Sequence, residues 1–365
     1  MISRLAKALV TMLLLCIATT GYSQIRWMDP LEEGAEVHGQ GWESLCHSYV
    51  RLPDEAEGKV RDALWKLSRN SAGLSLVFRS NASEIRVRYQ TTSSNYAMWH
   101  MASMGVSGVD MFAVENEGRE LWAAPDFTPQ FRDTIYFRYS GLTYQPDSDG
   151  TYEYHLYLPL YNSIKWLELG IPEGSEINFI RRSSEKPIVI YGTSIAQGAC
   201  ASRAGQAWGN MLGRRIGHPV VNLGFSGNGK LDPELFDLLN QIDARMYIID
   251  CMPNNTPDMP IYERVTAGVR KLRASHDCDI ILVEHSGYSN EYTKKASSSY
   301  RLSNLKLQEA YQTLIDEGVT NLHYMTHDEV GYTMDEMVEG VHPNDLGMMH
   351  TASAYEKRIR SILNE

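Results

Sequence analysis

The spacing of apolar residues changes once along this chain, near residue 184, and that change limits what each half can fold into. From residue 74 to about 166 the apolar positions recur every second residue. Leu74, Leu76 and Phe78 form one such set and Ile85, Val87 and Tyr89 another. Tyr152, Tyr154, Leu156, Leu158 and Leu160 form a third, after the turn signal Asp147-Ser148-Asp149-Gly150. A period of two sends successive side chains to opposite faces, so these are half-buried antiparallel strands. With no sustained helical period in this half, residues 24–183 are predicted to form a jelly-roll-like β-sandwich.

After Arg182-Ser183-Ser184-Glu185 the runs become short and apolar throughout: 188–191, 220–225, 246–250, 280–283 and 322–325. The stretches between them are long enough for helices, and some show helical spacing, as in Val265, Val269 and Leu272 or Leu305, Leu307 and Leu314. Fully apolar strands alternating with helices describe a parallel sheet covered on both faces, predicted over residues 184–365. Ligands of such sheets bind beyond the carboxyl ends of the strands, so the loops there are where chemistry is expected.

The first 23 residues read as a leader rather than as part of either domain. Arg4 and Lys7 precede the apolar run 9–18, and small residues Gly21 and Ser23 stand before Gln24, the layout of a cleaved secretory signal. The run is too short to serve as a membrane anchor, and Leu15 before Cys16 does not suit a lipoprotein. Export to the periplasm or medium is therefore expected. Removing 23 of 365 residues leaves 342, and losing Arg4 and Lys7 takes the formal net charge from −11 to −13. So acidic a chain is not expected to bind nucleic acid or anionic membranes, both of which reward clustered Lys and Arg. The remaining cysteines, Cys46, Cys200, Cys251 and Cys278, are irregularly spaced and contain no CxxC, so they are expected to be buried thiols or to form at most one bridge.

Four segments after residue 184 could carry chemistry. The first strand empties into Gly192-Thr193-Ser194-Ile195, which puts the Ser194 hydroxyl near a helix N-terminus, where backbone N–H groups can stabilise an oxyanion. The second strand ends in Ser226-Gly227-Asn228-Gly229, the third in Cys251-Met252-Pro253-Asn254-Asn255, and Glu339-Gly340-Val341-His342-Pro343-Asn344 lies just before the last helix. Taken singly, each has an ordinary structural use: a helix N-cap for Ser194, tight turns for Gly227 and Asn254, a surface histidine for His342. In order on successive strand ends of one sheet, they offer a nucleophile, two hydrogen-bond donors and a base.

Together the four segments resemble the blocks of the SGNH hydrolases, the GDSL-type esterases, over about residues 186 to 363. The resemblance implies a three-layer α/β/α sandwich. It also implies Ser194 as nucleophile, His342 as base, and the Ser194 N–H, the Gly227 N–H and the Asn254 amide as an oxyanion hole. Gly192-Thr193-Ser194-Ile195 departs from the eponymous Gly-Asp-Ser-Leu, and Met252-Pro253-Asn254-Asn255 departs from Gly-x-Asn-Asp. The family's acid stands three residues before the histidine as Asp, and here that position is Glu339. A glutamate is one methylene longer, about 1.5 Å, and must curl differently to reach the ring. A triad with Glu339 is expected first, a Ser-His dyad second, and Asp335 or Glu336 as the acid third.

In the first half, Gly108-Val109-Asp110-Met111-Phe112 resembles the GxDLY motif of a β-sandwich domain found ahead of SGNH esterases. That layout implies removal of small acyl groups, acetyl foremost, from a saccharide, with no cofactor and no metal. Six of the seven tryptophans, Trp27, Trp42, Trp65, Trp99, Trp122 and Trp166, fall in this half, and most are expected in the core. Trp99, in the aromatic segment Tyr96-Ala97-Met98-Trp99-His100, is the one expected to reach a substrate, and His285 beside Glu284 is expected to line the pocket rather than to bind a metal. A lipid or thioester acylhydrolase, or a glycan-binding protein with a decayed site, are the readings this one competes with.

Overall fold

A computed structural model describes residues 24–115, 118, 120–126, 129–142, 151–294 and 299–365. The leader read at 1–23 and the turn read at 147–150 lie outside these residues. Period-two alternation becomes two antiparallel sheets. One runs in the order Ile25–Met28, Ile164–Pro172, Glu84–Thr91, Ile135–Ser140. The other runs Ile177–Phe179, Ser75–Ser80, Tyr152–Tyr157, Asp110–Val114, Glu120–Ala123, with Val37–His38 also paired to Ser75–Ser80. The inward residues of both, among them Phe78, Tyr154 and Met111 from one and Val87, Phe137 and Leu169 from the other, share one core. Glu84–Thr91 keeps a clean alternation of buried and half-buried residues. Ser75–Ser80 does not, because its outer face is also covered.

The second half of the chain packs against this sheet through Phe112 and Tyr157. Its five strands are all parallel, in the order Val220–Gly224, Ile188–Gly192, Met246–Asp250, Asp279–Val283, Leu322–Met325. Alternate residues of each strand point to opposite faces: Val189 and Tyr191 pack with Leu235, Val265 and Leu307, whereas Ile188 and Ile190 pack with Trp208, Leu212 and Tyr355. Helices Pro233–Leu239, Ile261–Ser275 and Tyr300–Asp316 thus cover one face, and Trp208–Ile216 and Asp345–Leu363 the other, giving the three layers. Of the apolar residues used to place Tyr300–Asp316, Leu305 is exposed while Leu307 and Leu314 are buried. The chain leaves the Ile188–Gly192 strand to one side and returns on the other at Met246–Asp250. That pair therefore forms the switch point where α/β sheets bind ligands.

The two halves share cores. Phe112, Tyr157 and Leu160 of the sandwich pack with Ile190, Trp208 and Ala204. Further upstream, Trp42, Leu45, Leu52, Ala56, Val60 and Leu64 lie in the core under the other face of the parallel sheet. This segment includes a helix, Asp62–Ser68, too short to produce a sustained period in the sequence. Arg51 is buried there, donating to the Leu67 and Asn70 carbonyls at 2.7 and 2.9 Å and to the Gly224 carbonyl at 2.6 Å. Burial lowers its pKa to about 9. Among the described residues no helix is long and apolar enough to cross a membrane.

Two expectations of burial need correction. Of the six tryptophans of the first half only Trp42 is buried. Trp27 lies under the Arg88 guanidinium and Trp65 under that of Arg69, so these rings act as half-exposed cation platforms. All four described cysteines are free thiols, and only Cys200 and Cys251 are buried.

Candidate active site

Ser194 opens the short helix Ser194–Gln197, directly after the extended Thr193 that ends the first strand's exit. Its side chain is nearly buried, and its Oγ lies 2.8 Å from His342 Nε2. His342 comes from the loop ahead of Asp345–Leu363. Asn344 caps that helix by accepting from the Leu346 and Gly347 N–H groups, and the Val338 N–H donates back to the His342 carbonyl at 2.9 Å. On the other side of the ring, Nδ1 is bonded to Glu339 Oε1, and the same oxygen accepts the His342 backbone N–H at 3.1 Å. Between the two residues the chain turns at Gly340, whose φ of +84° lies in the left-handed region that suits glycine. Glu336, another candidate acid, is turned away, accepting from His350 Nδ1 at 2.8 Å.

The glycine loop lies against this serine turn. A Cβ on Gly229 would stand 2.3 Å from the Gly192 carbonyl oxygen, so only glycine allows the approach. Gly227, at φ +67°, forms the exposed tip of the loop. Asn254 Oδ1 accepts the Gly229 N–H at 3.1 Å, which orients its amide. Asn255 then ties the two loops together, donating to the Gly229 carbonyl at 3.1 Å and the Cys251 carbonyl at 2.7 Å. The N–H groups of Ser194 and Gly227 have no protein acceptor among the described residues, so three donors are available on this edge. Asp250, where the third strand ends, is buried enough that its carboxyl is pushed up to about 6, against a hydrogen bond from Tyr355 that lowers it.

The sandwich reaches the same place. Trp99 is 83% exposed and stacks on the His100 ring with centroids 4.4 Å apart, and His100 meets His342 edge-on at 5.3 Å. Cys200, three residues past the Ser194 helix at φ +69°, donates its thiol to the His100 carbonyl. Burial pushes this thiol up to about 12 and lowers the pKa of His100. His285 is enclosed between Tyr300 and Tyr288, with ring centroids 4.9 and 4.4 Å away, and no hydrogen bond or ring contact joins it to Ser194 or His342 among the described residues. Neither His100 nor Cys200 carries a sequence signal, because they lie 100 residues apart on different domains and meet only through the fold.

Asp110 of the Gly108–Phe112 segment explains how the domains register. It is buried, and its carboxylate accepts from Arg203 Nη1 at 2.6 Å, the Gly205 N–H at 2.9 Å and Trp122 Nε1 at 2.8 Å. Phe112, from the same segment, lies beneath the guanidinium of Arg214. The Asp110 contacts tie Arg203 and Gly205 of the turn after the Ser194 helix to the sandwich, and Phe112 meets the helix Trp208–Ile216 that follows.

Comparison with known proteins agrees with this architecture. The profile of the GDSL-like lipase/acylhydrolase family matches residues 185–360, and that of the GxDLY N-terminus of SGNH-hydrolase-type esterases matches residues 25–177. No curated protein matches the sequence. Among solved structures, a GDSL-like lipase from Bacteroides ovatus is 29% identical, covering 93% of this chain and 98% of its own, with a TM-score of 0.84. The salicylyl-acyltransferase SsfX3 of a tetracycline biosynthetic pathway is 17% identical, covering 93% and 97%, with a TM-score of 0.72. A family two carbohydrate esterase from Clostridium thermocellum, solved with cellohexaose, is 13% identical over 80% and 92%, at a TM-score of 0.50. At those last two identities the likeness is one of fold alone. With both halves matched in order, the chain belongs to the SGNH hydrolases: a carboxylic ester hydrolase whose GDSL-like lipase/acylhydrolase domain follows a GxDLY-type β-sandwich.

Proposed function

We propose that the protein is a serine esterase that removes short acyl groups, acetyl foremost, from carbohydrates through an acyl-enzyme on Ser194. The observation that carries this reading is the hydrogen-bonded line Ser194, His342, Glu339 at the switch point of the sheet. His342 Nε2 takes the Ser194 proton as Oγ attacks the ester carbonyl, and the Glu339 carboxylate holds Nδ1–H and balances the imidazolium. Charge gathering on the carbonyl oxygen meets the Ser194 and Gly227 N–H groups and the Asn254 amide. His342 then gives its proton to the departing alcohol, and a water, deprotonated by the same nitrogen, releases the acid and restores Ser194.

The sugar is assigned to the open side of the cleft, where Trp99 offers an exposed ring face for stacking. His285, enclosed by tyrosines, has no part in this reading. The fold shared with carbohydrate esterases supports the substrate class, and an exported enzyme, cleaved before Gln24, suits a polymeric substrate. N-terminal sequencing of the protein from the producing cells tests the export step.

The experiment is hydrolysis of p-nitrophenyl esters from acetate to octanoate by the wild type and by Ser194→Ala, followed by acetate release from acetylated oligosaccharides. Turnover that falls with chain length and disappears in the variant is the expected result. A preference for long chains would move the substrate to lipids or thioesters. Equal rates in both proteins would remove Ser194 as nucleophile, and glycan binding without turnover would make this a binding protein.

A further inference from the structure

Three metal-ligating side chains from both domains converge beside Ser194. His100, Cys200 and His342 each offer one ligand atom, and the three atoms lie within 4.8 Å of one another. We propose that they form a site for a borderline-soft divalent cation of the zinc class, and that occupancy of this site reversibly switches the esterase off.

The donor set selects the ion. One thiolate and two imidazoles suit zinc and its neighbours, whereas calcium and magnesium require oxygen ligands that this trio lacks. Three protein ligands would leave a fourth position for water, as in three-ligand zinc sites.

Two features beyond proximity point to a ligand. His100 Nδ1 is buried with no hydrogen-bond partner among the described residues, an unsatisfied imidazole nitrogen in the cluster itself. His342 already has the carboxylate partner that metal-bound histidines use, since Glu339 holds Nδ1 and leaves Nε2 to ligate. The scaffold is also fixed: the Cys200 thiol is bonded to the His100 carbonyl, and Trp99 lies flat on the His100 ring.

On binding, the cation replaces the proton of the Cys200 thiol, which leaves to solvent, and accepts the Nε2 lone pair of His342. No electrons change hands. That lone pair is the one that would otherwise receive the Ser194 proton, so metal binding and general-base catalysis are mutually exclusive. The effect on rate rests on the esterase reading; the binding itself does not.

The test uses metal-free full-length protein and two readouts. Zinc is expected to inhibit p-nitrophenyl acetate hydrolysis in the wild type, EDTA to restore it, and calcium or magnesium to leave it unchanged. Cys200→Ala is expected to keep its basal rate and to need at least roughly tenfold more zinc for the same inhibition, the loss typical even of outer partners of a metal site. Cobalt(II) should give a thiolate charge-transfer band in the near ultraviolet in the wild type and in Ser194→Ala, and none in Cys200→Ala. Absence of that band from the wild type overturns the proposal whether or not the variants fold, and so does equal zinc inhibition of the wild type and Cys200→Ala. A cobalt–thiolate band in a protein that hydrolyses no ester would instead retire the esterase reading and leave the metal site standing.

Discussion

Replacing Glu339 by Gln should cost less than replacing it by Ala, and the geometry says by how much. A single oxygen, Oε1, accepts both the His342 backbone N–H and Nδ1 of the ring. If the glutamine amide flipped, its NH2 would face two donors, so the variant is expected to keep its carbonyl oxygen on both. The imidazole then retains the tautomer that presents a bare Nε2 to Ser194. What disappears is the negative charge. An imidazolium and a carboxylate about 4 Å apart attract by about 4 kcal/mol at an effective dielectric constant near 20, and a neutral amide oxygen retains part of that. A net loss of about 2 to 4 kcal/mol corresponds to a roughly 30- to 1000-fold drop in kcat. Serine proteases in which the amide imposes the wrong tautomer lose about 10,000-fold. Glu339→Ala, which removes both acceptor contacts and leaves the ring free to turn, should fall below Glu339→Gln. The assay is kcat and KM for p-nitrophenyl acetate, with wild-type folding checked by circular dichroism. Rates within about threefold of wild type for both variants would refute the reasoning and leave a Ser-His dyad, while a Gln variant slower than Ala would refute the orientation argument alone.

Three further outcomes are expected. Asn254→Ala should lower kcat by about 100- to 1000-fold with little change in KM, the cost of one oxyanion donor, and an unchanged kcat would remove the amide from that role. Asp110→Ala leaves the Arg203 guanidinium without its carboxylate at the domain junction, so urea denaturation should show a loss of about 3 to 5 kcal/mol; a loss below about 1 kcal/mol would mean that the contact does not join the domains. The Asp250 carboxyl is raised by burial to about 6 from an ordinary 3.8, so between those values the folded state holds a proton that the unfolded state has lost, and stability falls as pH rises. That penalty is absent below about pH 4 and complete above about pH 6, where it amounts to about 3 kcal/mol. Melting curves of Asp250→Asn should therefore gain on wild type across this window and run parallel to it at higher pH, and a constant difference would contradict the assignment.

The strands of both halves were legible because burial imposes a period. Tyr152, Tyr154 and Leu156 alternate with half-buried neighbours because that face meets the sandwich core, Tyr157 and Leu160 break the pattern because they are buried against the second half of the chain, and Ile188–Gly192 is apolar throughout because both its faces meet cores. Ser75–Ser80 shows where that logic stops: its alternation in sequence says half-exposed, yet Ser75 and Val77 on its other face are buried too. The loops that bring Ser194, Gly227, Asn254 and His342 to one edge were legible through short motifs that follow strands. Glu339 was legible as a position but not as a geometry, since spacing alone does not say whether the longer side chain meets Nδ1 of the ring. The meeting of His100 with Cys200 was not legible, because it depends on how two domains pack. The tryptophans misled for a related reason: indole rings can lie half-exposed under arginines, which composition does not reveal.

The segment from Trp42 to Leu64 has a consequence for how this protein must be made. It emerges early in synthesis, but the apolar surface it covers belongs to strands and helices some 130 to 270 residues further on. Contacts so distant in sequence form slowly, and until they form, both the early segment and the bare sheet face are sticky. Arg51 adds to the dependence, since the carbonyl at the end of the Val220–Gly224 strand finds its donor only when the early segment arrives. The hydrolase half cut out at residue 184 would thus lack a strip of its own core, and shortening the chain from the front should yield aggregation rather than a smaller enzyme.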